Sequence, residues 1–237
     1  MPEFIRLWEN GPLFAQSAHF KLGTDSVLLA DFVNTSRARQ GIDLGCGSGI
    51  ISLLLLERSE KLNMTGLEIN PEAAALAGEN MAENGFAARS SVITGDIRRH
   101  RELFRTGGFD LAVANPPYFP QNSGSLSPKS DRAAARGEVE CALEDICQAA
   151  AFLLKTGGSF CIVHRCERLA ELMRLMSEYK IEPKRLRLVQ HKAASAPSLV
   201  LVEGRRGGNA GLKIEPPLIL ADENGGESAE YKRIYHR

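Results

Sequence analysis

Residues 41–59 read GIDLGCGSGIISLLLLERS, and the order of residue types within them decides the fold. A short apolar run, "GIDL", halts at glycines spaced by two, Gly45, Gly47 and Gly49. A leucine-rich run of helical length follows. Strand, glycine turn and helix open a βαβ unit, and glycines at such a turn permit a tight bend and the close approach of a ligand to the backbone. An ordinary strand-to-helix turn has the same composition, so the loop alone does not establish a ligand.

Working outward, the alternation continues. "MTGLEI" (64–69) reads as a strand and "PEAAALAGENMAENG" (71–85) as a helix opened by Pro71 and closed by Gly85. "SSVITG" (90–95) and "FDLAVA" (109–114) are further strands. "LEDICQAAAFLL" (143–154) is a helix ending before Gly157–Gly158, "SFCIVH" (159–164) a strand and "ERLAELMRLMSEY" (167–179) a helix. Such a series specifies a parallel sheet covered by helices on both faces. "KRLRLVQ" (184–190) and "SLVLVEG" (198–204) have no helix between them, so an antiparallel pair is expected at one sheet edge. Upstream, residues 4–16 alternate around "ENGP" as a hairpin, and "GTDSVLLADFV" (23–33) is a helix with Thr24 or Asp25 as its cap. The expected fold is α/β, a Rossmann-like, mostly parallel seven-stranded sheet in a single domain, 1–237, with 1–38 as a hairpin-plus-helix extension.

Composition narrows the function. Lys plus Arg and Asp plus Glu both number 29, so no global field holds a polyanion, although local basic patches stay open. The five cysteines contain no Cys-x-x-Cys pair, which implies neither a zinc site nor a disulfide framework. The first residues lack a basic start followed by an apolar core, and no stretch reaches the length of a membrane span. A cytoplasmic protein without membrane or metal partners is expected. Oligomeric state is not set by the sequence.

Two carboxylates extend the candidate pocket. Glu68 ends the strand after the glycine loop, where a carboxylate accepts from ribose hydroxyls, and Asp96 ends the next, where it or an adjacent amide reads an adenine edge. Helix capping would equally explain each. Position 50 is isoleucine, not the last glycine of the dinucleotide fingerprint, and no Gly-Lys-Ser/Thr follows for phosphates. Asp43 would repel a pyrophosphate but attract the ammonium of an amino-acid tail. Adenosine plus an amino-acid tail describes S-adenosylmethionine.

The strand at 109–114 ends in "NPPYFP" (115–120). Consecutive prolines fix φ and carry no donors, so such a turn holds its carbonyl rigidly, whether for chemistry or only to end the strand. This turn resembles the Asn-Pro-Pro-Tyr motif of amino-group methyltransferases, and "DLGCGSG" resembles their cofactor loop. The resemblance implies that Asn115 and the Pro116 carbonyl hold a planar amine, Pro117 completes the turn and Tyr118 stacks on the target base. Methyl transfer needs in-line alignment more than a base, so no general base is assigned.

"FKLGTDSVLLADF", "NPPYFP", "LEDICQAAAFLLKTGG", "IVHRCERLAELM", "EPKRLRLV" and "PPLILADENG" together resemble the bacterial tRNA(Val) adenine-37 N6-methyltransferases over most of the chain. That resemblance implies a tRNA substrate, Lys21, Gly23, Thr24 and Asp25 as further cofactor neighbours, and Asn115 beside the cofactor. The chain departs from the pattern at Gly137, where histidine is common, and at Cys166, where proline is frequent. Phosphate contacts are expected at Lys129, Arg132 and Arg136, and in the run carrying Lys184, Arg185 and Arg187, although basic runs are often just solvated surface. A protein glutamine N5-methyltransferase fits the same motif, but those enzymes usually carry a substantial helical domain before the loop, and the roughly 40 residues before it here favour a single domain. The fold also hosts DNA adenine methylation and RNA binding without catalysis, and no separate DNA-recognition domain is evident here.

Overall fold

The computed structural model describes residues 2–16, 23–117 and 141–236. Strands β1 (Phe4–Arg6) and β2 (Leu13–Ala15) form the expected antiparallel hairpin. Helix α1 (Thr24–Phe32) leads to β3 (Gln40–Leu44), α2 (Ile50–Arg58), β4 (Asn63–Glu68), α3 (Pro71–Glu83) and β5 (Ser90–Thr94). A short helix α4 (His100–Leu103) precedes β6 (Phe109–Ala114), and α5 (Leu143–Leu153) precedes β7 (Leu154–Arg165). Helix α6 (Leu169–Glu178), β8 (Ile181–Gln190), β9 (Leu199–Arg206), the two-residue strands β10 (Lys213–Ile214) and β11 (Leu218–Ile219), and α7 (Ala229–Ile234) complete the order.

The sheet runs β10-β8-β9-β7-β6-β3-β4-β5, with β11 also on β8. The chain moves from β3 outward through β4 and β5, then returns to the other side of β3 with β6 and β7. The switch point therefore lies between β3 and β6, and the crevice at their carboxyl ends is where open α/β sheets bind ligands. The seven expected strands are all present. The antiparallel element is β9 alone, lying between β7 and β8, which run parallel to the rest. Strand β8 is not a bare edge, because β10 and β11 pair with it. The glycines at 157–158 do not separate helix from strand. They lie inside β7, where Gly157 takes φ +81° and the register with β6 slips between Phe109 and Leu111.

Strand alternation divides the core. Leu111 and Val113 of β6 join α1 and α2 on one face, while Ala112 and Ala114 join α5 and α6 on the other. Helix α2 is buried throughout Ile50–Leu56, so its leucines need no polar face. The hairpin is held by two asparagines one turn apart, Asn80 on α3 and Asn84 at its C-cap. The Asn80 side chain accepts from Ala15 N and donates to Ala15 O, and Asn84 does the same at Leu13.

The carbonyls at the end of α1 have lost their helical partners, and arginines supply donors. Arg58 donates to Asp31 O and Val33 O, and Arg185 to Phe32 O. Arg233 pairs with the Asp31 carboxylate at 2.9 Å.

Candidate functional site

Strand register brings the separated motifs into one row. Leu44 of β3 lies opposite both Leu67 of β4 and Ala114 of β6, and Glu68 opposite Thr94 of β5. The residues that follow, Gly45, Glu68, Asp96 and Asn115, stand along the carboxyl edge on both sides of the switch point.

Gly45 takes φ +76° and its N–H donates to Leu67 O at 2.8 Å. Gly49, at φ +83°, is the N-cap of α2, and a Cβ there would meet Ala77 Cβ at 3.1 Å. Glycine is thus required both by the bend and by the closeness of α2 to α3. Glu68 braces this loop. Its Oε2 accepts from Gly47 N at 2.8 Å and its Oε1 from Asn70 N at 2.9 Å. The helix-cap role for Glu68 fails, because Asn70 caps α3 through its own side chain.

Asp43 differs from its expectation. It is fully buried beneath the loop and does not present an open carboxylate to an ammonium. Oδ2 accepts from the Ser52 hydroxyl at 3.0 Å, while Oδ1 has no hydrogen-bond partner among the described residues. Burial pushes the carboxyl up to about 7, the Ser52 bonds pull it down and the nearby Glu68 charge adds to the rise. Asp96 does cap, accepting from Arg98 N at the 97–99 turn. It also receives the Arg98 guanidinium, whose hydrogen bonds hold its carboxyl below the usual range.

At Asn115 the side-chain Nδ2 donates to Ser26 Oγ at 2.9 Å. Pro116 is buried and Pro117 exposed. Tyr118, Lys21, Lys129, Arg132 and Arg136 lie outside the described residues. Gly23 is the N-cap of α1 with φ −95°, which any residue adopts, and makes no side-chain capping bond. Thr24 and Asp25 are the first residues of the helix and not its cap.

The run at 184–187 is committed internally. Lys184 donates to Asn209 O. Arg185 pairs with Glu203 at 2.9 Å and lies 3.7 Å above the Phe32 ring centroid. Arg187 grips Glu230 with two bonds of 2.8 and 2.7 Å. These partners lie 18 to 153 residues away, and charge counting does not find them. Sequence reading does not find Ser26 or Ile69 either. Ile69, directly after Glu68, is 60% exposed at the carboxyl edge of the sheet. Among the described residues no cluster of three His, Cys, Asp or Glu could hold a metal, and no helix is long and apolar enough to cross a membrane.

Two solved structures share this architecture. A predicted O-methyltransferase from Agrobacterium tumefaciens superposes with a TM-score of 0.74 at 22% identity, covering 90% of this chain and 96% of the other. A geranyl diphosphate C-methyltransferase from Streptomyces coelicolor A3(2), solved with S-adenosyl-L-homocysteine, gives 0.56 at 13% identity over 76% and 80%. The fold is that of the class I methyltransferases. Residues 7–180 match the methyltransferase small domain family. A tRNA1(Val) (adenine(37)-N6)-methyltransferase from Porphyromonas gingivalis is 31% identical over 99% of this chain and 94% of its own length. The chain belongs to the methyltransferase small domain family and, within it, to the tRNA1(Val) (adenine(37)-N6)-methyltransferases. Its cofactor is S-adenosylmethionine. The open glycine backbone and the braced Glu68 carboxylate suit a ligand with hydroxyls.

Proposed function

We propose that this protein methylates N6 of adenine 37 in the anticodon loop of tRNA(Val), as a single cytoplasmic methyltransferase domain. The observation that carries the reading is the pairing of Leu44 with Ala114, which sets the Asn115–Pro116–Pro117 turn beside the glycine loop. Bound S-adenosylmethionine supplies an electrophilic methyl carbon on a sulfonium.

Glu68 receives the ribose hydroxyls while keeping its backbone donors, since a carboxylate has about four acceptor positions. Ile69 and Ile97 cover the adenine faces beside Asp96. Asp43, bonded to Ser52, anchors the strand end beneath the loop without reaching the ligand. Gly23, Thr24 and Asp25 border the cofactor, with Lys21 ahead of them. Asn115 and the Pro116 carbonyl accept the two N6 hydrogens, turning the nitrogen lone pair toward the methyl. With S-adenosylmethionine held there, its methyl would pass to N6 as the C–S bond broke, the electron pair would stay on sulfur, and the extra proton would leave to water. Holding the two atoms in line is worth about 7–11 kcal/mol of barrier. Tyr118 stacks on the base, and Lys129, Arg132 and Arg136 contact phosphate. An anticodon-loop base is accessible because it is unpaired.

The test is methylation of tRNA by purified protein, with nucleoside mass spectrometry for N6-methyladenine and a parallel assay for N5-methylglutamine. N6-methyladenine at position 37 is expected. Methylglutamine alone overturns the substrate, and failure to bind S-adenosylmethionine would favour a non-catalytic RNA-binding protein.

A further inference from the structure

We propose that Ser26 is a positioning residue that sets the orientation of the Asn115 carboxamide. This rests on the reading that Asn115 holds the target amine. The two residues are 89 apart in sequence, yet Ser26 Oγ lies 2.9 Å from Asn115 Nδ2.

A carboxamide has a donor end and an acceptor end of nearly the same shape, and its terminal torsion is broad. Only one orientation serves an amine, because the opposite one aims N–H groups at the hydrogens it must receive. Backbone geometry does not choose between them. The prolines fix the path of the main chain but not the rotation of the side-chain amide. A neighbour that accepts from Nδ2 turns Oδ1 the other way. Ser26 is placed to do so, with its hydroxyl oxygen as acceptor. It is only 8% exposed, so water competes little for the bond.

The placement is firm at both ends. Ser26 is in the first turn of α1, on a nine-residue helix whose far end receives Arg58 and Arg185 and is paired to Arg233. Asn115 directly follows β6, a central strand hydrogen-bonded to β3 and β7. The donor and acceptor are therefore carried by two braced elements. Serine is otherwise a poor choice for a buried helix position, where alanine has the better propensity.

A matched pair of variants isolates the hydroxyl. Ser26→Thr keeps it and Ser26→Val replaces it with a methyl of similar volume. Steady-state kinetics on tRNA, calorimetric S-adenosylmethionine affinity and thermal melting are measured for both and for Ser26→Ala. Ser26→Val and Ser26→Ala are expected to lose about tenfold or more in kcat, with cofactor affinity unchanged, while Ser26→Thr stays within about threefold of the parent. Combined with Asn115→Ala, Ser26→Ala should add nothing further, since the amide it orients is gone. Equal kcat for the Thr and Val variants overturns the proposal, as does a full additional loss in the double variant. If Asn115→Ala itself retains the parental rate, the reading of the catalytic turn fails, and the orienting role fails with it.

Discussion

The two loops at the switch point are built in opposite ways. The glycine loop is braced by its immediate surroundings: Gly45 N and Cys46 N donate to Leu67 O, and Gly47 N donates to Glu68. Its positive φ angles are written into the sequence as glycines. The Asn115 turn has rigid prolines, but the contact aiming its side chain comes from a helix that ends more than 80 residues earlier. On the proposed reading, the glycine loop and Glu68 hold the cofactor through contacts local to one βαβ unit, whereas orientation of the substrate amine depends on how remote parts of the chain come together. Substitutions should separate the two functions accordingly.

The largest effect is expected at Asn115. Asn115→Ala removes an acceptor for the amine and leaves the glycine loop intact, so kcat should fall by about 10²–10³-fold while calorimetric cofactor affinity stays within a few-fold. A parallel loss of affinity would erase the contrast between the loops.

Glu68→Ala should do the reverse. It loses a charged acceptor for the ribose, costing about 1.5–3 kcal/mol, or roughly ten- to a hundredfold in affinity. Because Glu68 also receives Gly47 N and Asn70 N, a lower melting temperature should accompany the weaker binding. Undiminished affinity with a lowered melting temperature would leave Glu68 only its bracing role.

Asp43 gives the glycine loop a pH dependence that the Asn115 turn lacks. Its carboxyl is raised to about 7 in the fold, against an ordinary value of 3.8. The folded protein therefore binds this proton more tightly than the unfolded chain does. The stabilisation is complete below pH 3.8 and is lost as pH rises toward 7. Across pH 5 to 7 the loss should be about 2 kcal/mol, and Asp43→Asn should remove that slope in denaturant titrations. A slope unchanged by the substitution would place the titration elsewhere.

The smallest effect is expected at Arg187. Its bond to Glu230 is partly exposed, so Arg187→Ala should cost about 1 kcal/mol of stability. The salt dependence of tRNA binding should be unchanged, whereas loss of a phosphate contact would reduce its slope by about one. A reduced slope would return this run to the RNA interface.

These outcomes follow the boundary between what the sequence discloses and what it conceals. The glycine loop, Glu68 and the strand series are legible because each depends on residues within a turn or two of one another. Asp96 reads both as ligand and as cap, and the cap is realised locally through Arg98. The bulge at Gly157–Gly158 escapes because glycines mark a break without telling whether a strand ends or merely kinks. Strands β10 and β11 have two residues each, too few for any periodicity. The partners of Arg185 and Arg187, Glu203 and Glu230, are visible only after folding. Ser26 is hidden for the same reason.

The arginines at the end of α1 also bear on when the enzyme becomes competent. Arg185 and Arg233, two of the three that hold this helix, are synthesised long after the catalytic turn has left the ribosome. A nascent chain that stops short of them has its glycine loop, its prolines and Asn115, but a helix with an unfinished end, so Ser26 is carried on a loose lever. Cofactor binding should then arise early in synthesis and methyl transfer only near its completion. Arrested chains of increasing length, assayed for both activities, should show the first appearing well before the second.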